Sequence, residues 1–187
     1  MIAGRILYRT RQFWRALGAN PAPEDLKRVR SVLNPGLMAL FLRLSPAEQA
    51  HSISVFNKLV ENGESHLELL QAALLHDVGK SRFPLRLWER VAIVLGKAAF
   101  PQRSHSWGSL PPEGWPPAAG WKILHGLRRP FVVARQHPNW GADMVTQAGG
   151  SSLTVTLIRR HQDTSRPEST LQEDQFLSKI QAIDDES

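Results

Sequence analysis

The chain has 187 residues, 42% of them apolar, and no cysteine. One domain with a real core is within reach, while disulfides, zinc–cysteine sites and thiol nucleophiles are excluded. The formal charge of +6 is uneven: residues 1–30 hold seven Lys/Arg (Arg5, Arg9, Arg11, Arg15, Lys27, Arg28, Arg30) against Glu24 and Asp25, and the remainder is close to neutral.

The first segment, MIAGRILYRTRQFWRALG, is basic but lacks the continuous apolar core of a secretory signal. No apolar run is long enough to span a bilayer, so the expected location is cytoplasmic. Tyr8, Phe13 and Trp14 among these cations read in two ways. They form a surface for anionic lipid or nucleic acid, reached through residues 1–30, or a solvated helix face packed on the domain through its aromatics. Residues 1–44 are expected to be a basic helical extension packing on the domain, and residues 45–187 the domain itself.

Helix signals dominate from there. Ser45-Pro46-Ala47-Glu48 is a capping box with proline at the first helical position, opening a helix to about Val60 that Asn62-Gly63 stops. Ser65-His66-Leu67-Glu68 reads as a second capping box, and its helix carries Leu67, Leu70, Ala73, Leu74 and Val78 at helical spacing to Gly79. A third amphipathic stretch covers Leu85 to Ala98. Phe100 to Pro130 is crowded with Pro, Gly and Trp and reads as a long loop, a lid or a partner-binding element. Trp107, Trp115 and Trp121 in it either cover a substrate or pack the loop down. Pro138 is expected to start a helix that Gly149-Gly150 ends, and Ser152 one that runs to about His161. Thr170-Leu171-Gln172-Glu173 is expected to cap the last helix, toward Asp184. No convincing strand alternation is present, so the fold class is all-α.

Without thiols, any metal must bind through His, Asp, Glu or backbone oxygens, which suits Mn, Fe, Mg, Co, Ni or Zn. His76 and Asp77 adjoin at the end of an apolar helix. Buried there, they need a cation or each other. His51 lies inside a capped helix, His137 just before Pro138, His161 at a helix end, and Asp184 near the close of the last helix. Ligands dispersed in this way suit an octahedral nitrogen/oxygen site.

The order His51 … His76-Asp77 … Asp184 resembles the H…HD…D signature of the HD superfamily of metal-dependent phosphohydrolases. Ala72-Ala73-Leu74-Leu75-His76-Asp77-Val78-Gly79-Lys80 is similar to the AALLHDxGK wording of that superfamily. His137-Pro138-Asn139-Trp140-Gly141 resembles the HPxxG of its HD-GYP branch, and His161 falls where that branch places its next histidine. The resemblance covers residues 48–185. The branch's His-His-Glu and Gly-Tyr-Pro motifs are replaced by Arg160-His161-Gln162-Asp163 and Thr164-Ser165-Arg166-Pro167-Glu168, which speaks against hydrolysis of a cyclic dinucleotide.

The resemblance implies a single HD-type helical bundle and one or two divalent ions. His51, His76, Asp77 and Asp184 would hold the first, with Asp184 chosen over its neighbour Asp185. Asp77 would bridge to a second ion on His137 and His161, or else the two histidines line the pocket as phosphate donors around one ion. Asp77 and Lys80 are the implied catalytic residues. Lys80 and Arg82 are candidates to bind substrate phosphate, and a helix-end lysine paired with the dipole is the other reading of Lys80. The expected function is metal-dependent hydrolysis of a phosphate ester, a nucleotide or other small phosphorylated compound, by metal-activated water. The alternative is a non-catalytic, metal-binding regulatory module.

Overall fold

The computed structural model describes residues 20–109, 126, 128–163 and 168–186, helices joined by turns, bends and irregular segments with no strand among the described residues. In chain order the helices are α1 (Pro23–Val32), α2 (Pro35–Phe41), α3 (Pro46–Glu61) and α4 (Leu67–Leu75), then a 3₁₀ turn (Val78–Arg82). They continue as α5 (Leu87–Ala99), α6 (Pro101–Gly108), α7 (Arg129–Gln147), α8 (Ser152–Arg160) and α9 (Gln172–Glu186). The expected all-α class is what is found. Residues 1–19, with most of the basic N-terminal segment, lie outside the described residues, as do Trp115 and Trp121.

α4 is the axis of the domain. Every residue from Leu69 to Leu75 is buried, which is why its sequence is apolar all round rather than striped. α1, α2, α3, α8 and α9 pack around it, contributing Val29, Leu37, Phe41, Val55, Leu59, Leu157, Ile158, Leu177 and Ile180 to one core. α5, α6 and α7 form a second group, in which Trp107 of α6 meets Phe131 of α7 edge to face at 5.1 Å.

α3 begins at the expected capping box. Ser45 Oγ accepts from the Glu48 amide, and Glu48 Oε2 accepts from the Ser45 amide at 3.1 Å. Gly63, at φ +84°, lies just past its end, in the conformation glycine adopts most freely.

Other expectations are corrected. α4 has His66, not Ser65, at its cap, and the cap makes no side-chain bond; Glu68 instead pairs with His66 Nδ1 at 3.0 Å. α4 stops at Leu75, before Gly79, and the chain tightens into the 3₁₀ turn. The stretch read as a loop from Phe100 contains helix α6, started by Pro101, whose fixed φ suits a first helical position. Pro138 does not start a helix but lies within α7. It forgoes one backbone bond, and the surrounding packing holds the helix: Pro138, Trp140, Gly141 and Ala142 are all buried.

Candidate metal centre

Each candidate ligand lies on an apolar stripe that fixes its direction. His51 is one and two turns from Val55 and Leu59 on α3, and Asp184 one turn beyond Ile180 on α9. His137 shares a face of α7 with Val133 and Gly141. His76 and His161 cap the C-termini of α4 and α8, and both rings are buried. Packing the stripes into one core therefore brings five side chains from separate elements, with Asp77, to one place.

Two triads result, His51–His76–Asp77 and Asp77–His137–His161, each with its ligand atoms within 4.8 Å of one another. Asp77 belongs to both and divides its oxygens between them. Oδ1 lies 3.1 Å from His137 Nε2 and 3.9 Å from His161 Nε2, while Oδ2 lies 3.6 Å from His76 Nε2. Asp184 joins the first triad through Oδ1, 2.8 Å from His51 Nε2 and 3.5 Å from His76 Nε2. Its neighbour Asp185 is exposed.

The histidines are oriented from behind. Nδ1 of His76, His137 and His161 faces the backbone carbonyl of Ala73 (2.9 Å), Val133 (3.2 Å) and Ile158 (2.7 Å) respectively. A carbonyl only accepts, so Nδ1 carries the proton, and in the neutral ring Nε2 presents its lone pair inward. This is the outer-shell arrangement that prepares an imidazole as a metal ligand.

The electrostatics are unfavourable for the side chains alone. Burial, with the neighbouring His137 and His76, pushes the His161 pKa down to about 3. Burial also lowers that of His137, against the pull of the Asp77 carboxylate, which favours the charged ring. Both rings are thus neutral, yet their Nε2 atoms are 3.2 Å apart, lone pair facing lone pair beside a carboxylate. At His76, burial opposes the charged form, but Asp77 and Asp184 outweigh it and raise the pKa to about 9. Its Nε2 is buried without a hydrogen-bond partner among the described residues. Burial disfavours both carboxylates' charge, but Lys80 and His76 hold Asp77 far below its usual range, and His76 and His51 do so for Asp184.

A divalent cation fits this donor set. Neighbouring ligands of an octahedral ion with bonds of ~2.1 Å are about 3 Å apart, the separation of His137 Nε2 from both His161 Nε2 and Asp77 Oδ1. Nitrogen and oxygen donors without sulfur suit Mn, Fe, Co, Ni or Zn.

Lys80, on the 3₁₀ turn, places Nζ 2.5 Å from Asp77 Oδ2. Arg82 instead sets its guanidinium over the Phe83 and Trp140 rings, 5.6 and 5.7 Å from their centroids. The sequence reading missed Gln162, whose Nε2 is 3.5 Å from His137 Nε2. It also missed Gln181, which donates to the carbonyls of His161 and Asp163 and ties the end of α8 to α9. Glutamine has no ligand signature, and only the fold brings these two to the cluster. No family model, curated protein or solved structure matches this chain.

Proposed function

We propose that the protein is a metal-dependent phosphohydrolase, acting on a phosphate ester of a nucleotide or other small phosphorylated compound through a two-ion centre. The observation that carries this reading is the division of Asp77, one carboxylate oxygen to each histidine set. The resemblance of the His51 … His76-Asp77 … Asp184 order to the HD superfamily points the same way. His51, His76, Asp77 and Asp184 would hold one ion, and Asp77, His137 and His161 the other. Divalent ions so placed supply Lewis acidity toward a phosphoryl group and acidify water.

The chain's own part is positional and electrostatic. Backbone carbonyls hold Nδ1 of three imidazoles, so each ring is turned with Nε2 inward before any ligand arrives. Asp77, at 5% exposure, lies where charges act with little screening by solvent. Lys80 brings a cation on a flexible stem beside it, suited to neutralise a phosphate oxygen. The test is hydrolysis of p-nitrophenyl phosphate by protein reloaded with Mn, Fe, Co, Ni or Zn. Turnover that requires the metal and disappears in Asp77→Ala is expected; no turnover with any bound metal contradicts the proposal.

A second reading rests on the Lys80–Asp77 pair. An ammonium on Asp77 Oδ2 already neutralises the carboxylate, as in a module that holds one ion and regulates without hydrolysis. Lys80→Met separates the two. It leaves a regulatory site intact or binding metal more tightly, and it lowers turnover in an enzyme.

A further inference from the structure

A cavity of about 800 Å³ lies between α5, α6, α7 and the turn after α8. Phe131, Ala134 and Pro138 give it an apolar lining, and Lys97, Arg135 and Arg159 place cations at its edge. Gln162 borders both this cavity and the metal centre, because the side chain that lines the cavity also approaches His137 Nε2. The cavity and the centre are therefore neighbours with one residue in common.

Size and charge constrain the occupant. Sites for small organic ligands run to roughly 300–1,000 Å³, so this volume holds far more than one phosphate group. The only carboxylate among the described lining residues is Asp163, and its Oδ2 lies 3.5 Å from Arg160 Nε. Arg159 is held by Asp143 at 2.9 Å. Arg135 is exposed and has no carboxylate partner among the described residues. A guanidinium in that state presents a fork that matches the oxygens of a phosphate.

We propose that this cavity is a subsite for the part of the substrate beyond the scissile phosphate, and that it selects an organophosphate carrying a second phosphate group, held by Arg135 with Lys97. The inference rests on the phosphohydrolase reading of the adjacent centre. The apolar lining takes the organic body between the two phosphates, and Gln162 lies where the two ends of such a molecule meet.

The experiment compares adenosine 5′-monophosphate with adenosine 3′,5′-bisphosphate, which differ by one phosphate. With metal-loaded full-length protein, the bisphosphate should show a KM at least about tenfold lower, as expected for one or two charge-assisted hydrogen bonds. Arg135→Gln and the Lys97→Gln/Arg135→Gln pair should erase that difference while leaving kcat and the monophosphate KM unchanged. A second readout needs no turnover: calorimetric titration of the bisphosphate into chelator-treated protein should show binding that Arg135→Gln weakens about tenfold or more. Equal KM values with an active enzyme overturn the subsite and leave the phosphohydrolase reading standing. If neither compound nor p-nitrophenyl phosphate is hydrolysed with any bound metal, that reading fails, and the titration decides the cavity. Binding lost in Arg135→Gln supports an anion site, and heat absent in the wild type overturns it.

Discussion

Asp77 Oδ1 faces His137 and His161, and its Oδ2 faces His76 and Lys80. Asp77→Ala should therefore lose both ions, whereas His137→Ala and His161→Ala should each lose one and His51→Ala the other. Metal analysis of the purified variants checks this, and two ions retained by Asp77→Ala would remove it as a ligand. The titrations give a second prediction, for protein stripped of metal. His161 has a folded pKa of about 3, below the ordinary 6.5. Its stabilising contribution is complete above pH 6.5 and lost as pH falls toward 3, because the unfolded chain takes up the proton first. His76 is raised to about 9, so its contribution is complete below pH 6.5 and lost as pH rises through 9. Stripped protein should thus melt lower on both sides of neutrality. A bound metal needs neutral His76 and should abolish the alkaline limb; thermal melts from pH 5 to 9.5 with and without metal measure both limbs. The residues of the cluster were legible because His76-Asp77 sits at the end of an apolar helix and His51 on a capped one. The carbonyls of Ala73, Val133 and Ile158 were not, since every residue has one and only the folded backbone aims it.

Two glycines set how closely the elements approach the centre. A Cβ on Gly79 would meet the His137 carbonyl oxygen at 2.0 Å and the Gly141 nitrogen at 2.7 Å. The 3₁₀ turn that carries Lys80 thus lies directly on the backbone of α7, at the carbonyl of His137 itself. Gly79→Ala should destabilise the fold by about 1–3 kcal/mol, the usual cost of overpacking, and weaken the second ion as α7 is pushed away. A melting temperature and metal affinity equal to wild type would show that the contact is not tight. At this scale the sequence was read well where local chemistry decides, as at the Ser45–Glu48 box. It was misread where tertiary packing overrides local preference. Pro138 carries a helix-start signal, yet α7 continues through it from Arg129 because buried neighbours hold both sides. The turn chemistry of Phe100-Pro101 likewise concealed α6, which Trp107 anchors on Phe131.

Across the whole molecule, the proposed ions join elements far apart in the chain: α3, α4 and α9 in one set, α7 and α8 in the other, with Asp77 between them. A ligand that binds only the folded state stabilises it by RT ln(1 + [L]/Kd), about 2.7 kcal/mol at a hundredfold excess over Kd. Metal loading should raise the melting temperature by several degrees, since about 1 kcal/mol shifts a domain of this size by roughly 2–4 °C. His51→Ala should reduce that gain, because His51 and Asp184 fasten α3 to α9. The helical class was legible from capping boxes and apolar spacing, while the meeting of the five elements was not, because the contacts that unite them span most of the chain. The most direct measurement of the central claim is an anomalous difference map from crystals soaked in Mn²⁺. Two peaks about 3.5–4 Å apart, one bonded to each oxygen of Asp77, are predicted; a single peak, or none on Asp77, would contradict the two-ion centre.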